Sequence, residues 1–221
     1  MHTPNNICYI TGRGGCICKV LGHLLATLSD EVFGVSLSPE LMARSPEAQV
    51  MVVSAAFDRA EAEKAPVIAN SYGAYLTLQA MVGRGTLRTK VLLLSPVLGV
   101  TVTKAGLFKP PLTRRLKEAI EAGDCKAEWM EVHIGEEDES YNPDRFNRTI
   151  NCLRPDISTV LQGEGHNLRR SQVTHIVRAF MDAGPQQARH RPLKRESQSL
   201  SSMRHPSPSI GPHIVSPQRL R

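Results

Sequence analysis

The segment PVIANSYGAYLTLQ, residues 66–79, changes from an apolar extended pattern to a helical pattern without an intervening loop. Its first five residues predict a short strand, and the residues after the serine predict a helix. Ser71 lies at the junction, with Ala69 two residues before it and Gly73 two residues after it. Small residues in these positions allow a strand end and a helix start to approach closely. The segment therefore predicts a very sharp turn that carries Ser71.

The rest of the chain alternates short apolar runs with amphipathic patterns. Strands are predicted at 7–12, 31–37, 66–70, 90–97, 129–135 and 157–163. Helices are predicted at 16–28, 45–64, 72–82, from about 143, and at 171–183. The continuous apolar run at 90–97 is typical of a strand that is buried on both faces. This order predicts an α/β fold with a mainly parallel central sheet and helices on both faces.

Charge and composition divide the chain into two parts. Residues 1–184 contain 20 basic and 20 acidic side chains, whereas residues 185–221 contain 7 and 1. The second part is rich in Pro, Ser and Arg and has no aromatic residue, so it is predicted to be a disordered tail after a single domain. A basic tail can bind nucleic acid. Without aromatic residues for base stacking, a solvated extension that binds no nucleic acid is the favoured interpretation.

The cysteines and the hydropathy suggest a cytoplasmic protein. Five cysteines are an odd number, and the N-terminus lacks the charged and apolar regions of a signal peptide, so we expect reduced thiols, most of them buried. Cys16 and Cys18 have no matching cluster of ligands, which argues against a metal site. No run approaches the roughly 18 apolar residues that a membrane span requires.

Three side chains with complementary chemistry follow the carboxyl ends of different predicted strands, where ligands bind in open α/β sheets. They are Ser71, Asp138 and His166, in that chain order. The order and the segment A-N-S-Y-G resemble the α/β-hydrolase family, whose nucleophile elbow is G-x-S-x-G and whose triad runs serine, acid, histidine. Ala69 replaces the first glycine of that pattern, and the resemblance covers residues 5–183.

The stretches around the acid and the base resemble the same family. HIGEEDESYNPD (133–144) resembles the family's G-x-x-D-x-x-x-P stretch through Gly135, Asp138 and Asn142-Pro143, and QGEGHNL (162–168) resembles the turn that precedes the family's last helix. Asp138 is the preferred acid. Four further acidic residues crowd the loop and leave its identity open: Glu136, Glu137, Glu139 and Asp144.

A glycine-rich loop completes the resemblance. ITGRGGC (10–16) resembles the H-G-x-x-G loop of the family, with Thr11 in place of the histidine. By this resemblance the main-chain N–H groups of Tyr72 and Arg13 would form an oxyanion hole.

The resemblance implies a serine hydrolase that acts on a small-molecule acyl substrate without a metal or cofactor. Ser71 would attack the carbonyl, His166 would act as base and then acid, and Asp138 would orient His166. Residues 99–127 occupy the position of the family's lid and are few, which predicts an open, shallow acyl pocket. Four apolar residues are equally good candidates for lining it or for ordinary core contacts: Leu107, Phe108, Leu112 and Leu116.

Two other functions stay open. The fold could serve binding without catalysis, and Ser71 could be only a helix N-cap. The loop containing Gly12, Gly14 and Gly15 also resembles a nucleotide-binding turn, although Ile17 stands where that motif needs glycine. The sequence indicates neither the substrate nor the oligomeric state.

Overall fold

Six parallel strands form the central sheet of the protein. The computed structural model describes residues 5–103 and 106–183. Its strands are β1 (Ile7–Ile10), β2 (Val32–Val35), β3 (Val67–Asn70), β4 (Thr86–Leu94), β5 (Thr101–Thr103), β6 (Gly106–Phe108), β7 (Lys126–Gly135) and β8 (Ile157–Leu161). The sheet order is β2-β1-β3-β4-β7-β8, and every neighbouring pair is parallel. The predicted α/β architecture is confirmed.

Helices connect most of the strands. They are α1 (Leu21–Ala26), α2 (Pro39–Met42), α3 (Pro46–Glu63), α4 (Tyr72–Met81), α5 (Thr113–Ala122), α6 (Pro143–Leu153) and α7 (Arg170–Asp182). The start of α3 shows the predicted signal, because the Ser45 hydroxyl accepts a hydrogen bond from the Ala48 N–H at 3.2 Å and Pro46 occupies the first helical position.

Two apolar cores lie on opposite faces of the sheet. Alternate residues of a strand point to opposite faces, and β1 accordingly contributes Cys8 and Ile10 to one core and Ile7 and Tyr9 to the other. Helices α3, α4, α5 and α6 pack on the first face, and α1 and α7 pack on the second. Every residue of α4 is buried, so this helix sits at the centre of the first layer. The predicted helices on both faces are confirmed.

The first predicted helix is much shorter than its pattern suggested. Apolar spacing predicted residues 16–28, but α1 begins at Leu21. A disulfide between Cys16 and Cys18 closes a tight loop there, and the Ile17 N–H donates to the Ser36 hydroxyl at 3.0 Å instead of to a helical carbonyl. These two restraints hold the segment out of the helix.

The expectation of five reduced, mostly buried cysteines is wrong. Cys16 and Cys18 are bonded to each other, and Cys152 is exposed. Cys8 and Cys125 are free and buried, as expected, and burial raises the pKa of each thiol to about 12.

The lid-position segment, residues 99–127, contains a hairpin and one helix. A short antiparallel hairpin of β5 and β6 is followed by α5. None of the described helices is both long and apolar enough to cross a membrane. The predicted tail at 185–221 lies outside the described residues, so the domain boundary at 184 stays a prediction.

The cap of α3 can be tested by substitution. Ser45→Ala removes the acceptor for the Ala48 N–H and should lower the free energy of unfolding by about 1 kcal/mol, whereas Ser45→Gly should lower it by only a few tenths. Urea unfolding of the full chain measures both. Equal losses for the two variants would contradict a capping role.

Candidate active site

The turn between β3 and α4 holds Ser71 in an unusual conformation. Its backbone has φ 55° and ψ −125°, a region that residues other than glycine rarely occupy. The Ser71 N–H donates to the Leu94 carbonyl at 2.9 Å, and the Ser71 carbonyl accepts from the Tyr75 N–H at 3.3 Å. Bonds on both sides of the residue therefore fix it between the strand and the helix.

Glycine is required two residues later. A Cβ atom on Gly73 would lie 2.1 Å from the Thr11 carbonyl oxygen of the neighbouring strand end. Ala69, the departure from the family pattern, is fully buried within β3. Its small side chain is compatible with the turn because it lies in the strand core.

The structure brings Ser71, Asp138 and His166 together. The Ser71 Oγ lies 2.7 Å from the Nε2 of His166, across 95 residues of sequence. The Nδ1 of the same ring lies 2.9 Å from Oδ2 and 3.0 Å from Oδ1 of Asp138. These contacts form one continuous chain from hydroxyl to imidazole to carboxylate.

Burial distinguishes Asp138 from the acidic residues around it. Its side chain is 0% exposed, while that of His166 is 28% exposed. The N–H and the hydroxyl of Ser140 each donate to Oδ1 of Asp138 at 2.7 Å. The other acidic residues of this loop are all exposed: Glu136, Glu137, Glu139 and Asp144. Among the acids that the sequence left open, Asp138 is the one that contacts the histidine.

Asp138 and His166 shift each other's pKa. The hydrogen bond with Asp138 raises the pKa of His166 above its ordinary value, and burial opposes this shift. Burial alone would raise the pKa of Asp138, but hydrogen bonds from His166 and Ser140 outweigh it and lower that pKa. The pair therefore favours an ionised carboxylate beside an imidazole of increased basicity.

The loops that carry the acid and the histidine touch through their main chains. The N–H of Glu137 donates to the Glu164 carbonyl at 2.9 Å, and the N–H of Glu136 donates to the Leu161 carbonyl at 2.9 Å. A Cβ atom on Gly135 would lie 2.1 Å from the Glu164 carbonyl oxygen. Gly135 is thus needed for the close approach of the two loops.

A buried carboxylate closes the histidine loop, and no sequence motif marks it. Glu164 is 3% exposed, and its side chain accepts from the Arg169 N–H at 2.8 Å and from the Arg169 Nε at 2.5 Å. Arg169 is the N-cap residue directly before α7. The ion pair therefore joins the start of the loop to the start of the last helix.

Thr11 orders the glycine-rich loop in place of a histidine. It is buried, and its Oγ1 accepts from the Leu37 N–H at 2.9 Å and donates to the Gly12 carbonyl at 3.1 Å. The Gly12 N–H donates to the Asn70 Oδ1 at 2.8 Å, and the Tyr9 hydroxyl donates to the same oxygen at 2.8 Å. Asn70, which sequence reasoning did not single out, thus links the serine turn to the glycine-rich loop.

Two main-chain N–H groups near the serine are available to a ligand. Tyr72 begins α4, so its N–H has no acceptor within the helix. Within residues 5–103 and 106–183, no acceptor is found for the N–H of Tyr72 or for that of Arg13. Both could therefore bind an anionic oxygen.

The four apolar residues of the lid-position segment have different environments. Leu107 is 71% exposed, and Leu116 is buried in the core. Leu112 is partly buried against that core. The Phe108 ring packs edge-on to Tyr72, with centroids 5.8 Å apart, and lies 5.5 Å from the Arg13 guanidinium. Leu116 is thus a core residue, whereas roles for Leu107 and Phe108 in substrate binding stay predictions.

The glycine-rich loop does not have the geometry of a phosphate cradle. Three of its N–H groups are occupied within the protein, since Gly12 donates to Asn70 Oδ1, Gly14 donates to the Leu37 carbonyl at 2.8 Å and Gly15 donates to the Gly12 carbonyl at 2.9 Å. The next helix begins only at Leu21. A nucleotide site would need free N–H groups at a helix start directly after the loop, so the nucleotide-binding alternative is not supported.

Comparison with solved structures identifies the fold. No protein-family model matches the chain, and no curated protein is found as a relative. The chain is similar to the monoacylglycerol lipase of Paleococcus ferrophilus, with a TM-score of 0.61 and 13% identity over 81% of this chain and 95% of that one. It is also similar to Est1E from Butyrivibrio proteoclasticus, with a TM-score of 0.59 and 13% identity over 86% and 90%. An E-2-(acetamidomethylene)succinate hydrolase aligns with a TM-score of 0.58 and 15% identity over 81% and 92%. The chain has the α/β-hydrolase fold.

The close contact between the acid loop and the histidine loop predicts that a methyl group at position 135 destabilises the protein. Gly135→Ala should lower the free energy of unfolding by about 3 kcal/mol, because the Cβ would overlap the Glu164 carbonyl. Gly165→Ala is the matched control, since the nearest atom to its Cβ would be 4.0 Å away. Urea unfolding compares the two, and similar losses would show that the contact is not tight.

Proposed function

We propose that the protein is a serine hydrolase that cleaves an acyl ester or a related carbonyl compound. The observation that carries the proposal is the hydrogen-bonded chain of Ser71, His166 and Asp138 at the carboxyl edge of the sheet. This edge is where open α/β sheets bind ligands.

The geometry supports activation of the serine by the histidine. A serine hydroxyl is a weak nucleophile until a neighbouring base accepts its proton. The neutral Nε2 of His166 would accept that proton as Ser71 Oγ attacks the carbonyl carbon. Asp138 would accept the Nδ1–H and so fix the tautomer and stabilise the imidazolium. The imidazolium then donates the proton to the leaving group, and an acyl-enzyme remains.

Hydrolysis of the acyl-enzyme repeats these steps with water. His166 would take a proton from the water molecule that attacks the ester carbonyl, and would return it to Ser71 as the intermediate collapses. In both halves the carbonyl oxygen becomes an anion. The N–H groups of Tyr72 and Arg13 would stabilise it, an effect that is worth about 3–4 kcal/mol per donor in serine hydrolases that have been tested by mutation.

The substrate class follows from the nucleophile and the surroundings. A triad of this type attacks esters, thioesters and amides alike, and solved structures of similar fold include a lipase and a thioesterase domain. The short lid-position segment favours a small acyl substrate over one that needs an enclosed tunnel. We therefore propose a carboxylesterase- or thioesterase-like reaction.

Covalent labelling tests the proposal directly. A fluorophosphonate probe should label the wild-type protein, and Ser71→Ala should lose the label completely because the nucleophile is absent. Ser95→Ala is the matched control: Ser95 follows the next strand, is 2% exposed and has an Oγ without a hydrogen-bond partner among the described residues. A folded wild type that does not label would instead favour the binding protein without catalysis.

The pKa shifts predict the pH dependence of turnover. Activity needs neutral His166, so kcat/KM should rise with pH through the pKa of this residue in the free enzyme. Because Asp138 raises that pKa, the midpoint should lie above the ordinary histidine value of about 6.5. Hydrolysis of p-nitrophenyl acetate across pH 5–9 measures it, and a midpoint at or below about 6.5 would contradict the assignment.

Two variants separate the contributions to this midpoint. Asp138→Asn removes the largest cause of the shift, so the midpoint should move to lower pH and kcat should fall about 10⁴-fold. Glu139→Gln removes a smaller charge effect on the pKa of His166. It should lower the midpoint slightly and leave kcat nearly unchanged.

A further inference from the structure

A cavity lies between α5 and α6, apart from the serine site. Its volume is about 550 Å³, within the range of small-molecule sites. Neither Ser71 nor His166 lines it. One wall comes from residues 98–100 after β4, and the others come from the two helices and from Tyr75 on α4.

The floor of this cavity is apolar. Leu116 and Ile120 on α5 are buried, and Tyr75 is also buried. The Tyr75 hydroxyl donates to the carbonyl of Pro111, so its polar atom is already satisfied and the residue offers a ring face. A hydrocarbon chain could occupy this floor without leaving a buried polar group unpaired.

The rim of the cavity is cationic. Arg145 and Arg148 on α6 and Lys117 on α5 line it, with Glu121 as the single acidic residue among the lining residues. The Nζ of Lys117 lies 3.8 Å from Glu121. Neither arginine forms an ion pair with a carboxylate in the part of the chain that the structure describes.

Each of the two arginines uses only part of its guanidinium N–H donors within the described residues. Arg145 donates from Nη1 to the Val100 carbonyl, and Arg148 donates from Nε to the Asp144 carbonyl at 3.2 Å. A guanidinium has five N–H donors, so each retains several for a ligand. The two residues are three apart on one helix and therefore lie on the same side of it.

We propose that this cavity binds a carboxylate amphiphile, such as a medium-chain fatty acid. The hydrocarbon chain would lie on the floor formed by Tyr75, Leu116 and Ile120. The carboxylate would accept charge-assisted hydrogen bonds from Arg148 and Lys117 at the rim. The site goes beyond the proposed hydrolase function, because binding there does not depend on Ser71.

The chain carries a reporter in the cavity. Cys152 lines it and is the exposed one of the three free cysteines within the described ranges. Cys8 and Cys125 are buried, with pKa values raised to about 12, and Cys16 and Cys18 are bonded to each other. Since the thiolate is the reactive form, a neutral alkylating reagent should modify Cys152 first.

Protection of this thiol is the test. Iodoacetamide modification of Cys152 in the full chain, followed by peptide mass spectrometry, would be measured against increasing decanoate. We expect decanoate to slow the modification in a saturable way, equally in wild type and Ser71→Ala. The double variant Lys117→Gln/Arg148→Gln should raise the half-protecting concentration about fivefold, as expected for two partly exposed charge contacts.

Matched controls make the result decisive. Arg114→Gln removes a cation from α5 that does not line the cavity, and it should leave protection unchanged. 1-Decanol and decyltrimethylammonium, which share the chain but lack the carboxylate, should protect at least fivefold less well. The proposal is overturned if decanoate does not protect, if either analogue matches it, or if Arg114→Gln weakens protection as much as the double variant does. Ser71→Ala keeps these outcomes separate from failure of the hydrolase proposal.

Discussion

The contact between the first turn of α4 and the end of β1 is the constraint on which the site depends. Gly73 has no side chain, so the helix can lie against the Thr11 carbonyl. That proximity leaves no room for a loop after β3, and the chain must turn within one residue at Ser71. The same contact brings the glycine-rich loop, which starts at Thr11, beside the serine. Ser71, the proposed nucleophile, and the glycine-rich loop are therefore positioned by one packing event.

The strained turn also needs support from the interior of the fold. A residue with positive φ persists only where surrounding structure fixes it, and here a fully buried helix and the neighbouring strand β4 supply that structure. Asn70 adds a polar link by accepting hydrogen bonds from both Tyr9 and Gly12. The support of the serine turn thus comes from the centre of the sheet.

Most of the fold could be predicted from the sequence because its signals are local. Apolar runs marked the six sheet strands, and Ser45 and Pro46 marked the start of α3. The predicted helix at 16–28 was wrong because periodicity carries no information about the Cys16–Cys18 disulfide. In the site, motif order was enough to select Ser71 and His166. It favoured Asp138 but left four neighbouring acids open, since the burial of Asp138 and its bonds to Ser140 arise only in the folded loop.

Residues that support the site were missed for a related reason. Asn70 acts on Gly12 across 58 residues, and nothing in its own neighbourhood indicates that partner. Glu164 lies within a polar turn and resembles a solvated carboxylate, although it is buried. A hydrogen bond between distant segments has no sequence periodicity, so structure alone reveals it.

The ion pair between Glu164 and Arg169 has a consequence for the energetics of substrate binding. It closes the short segment that carries His166, while the Glu164 carbonyl holds the acid loop at the other side. The segment that carries His166 is thus ordered when the chain folds and not when a ligand arrives. In the proposed hydrolase reaction, binding energy from even a small acyl group would then be directed to the reacting carbonyl, because little of it is needed to order His166.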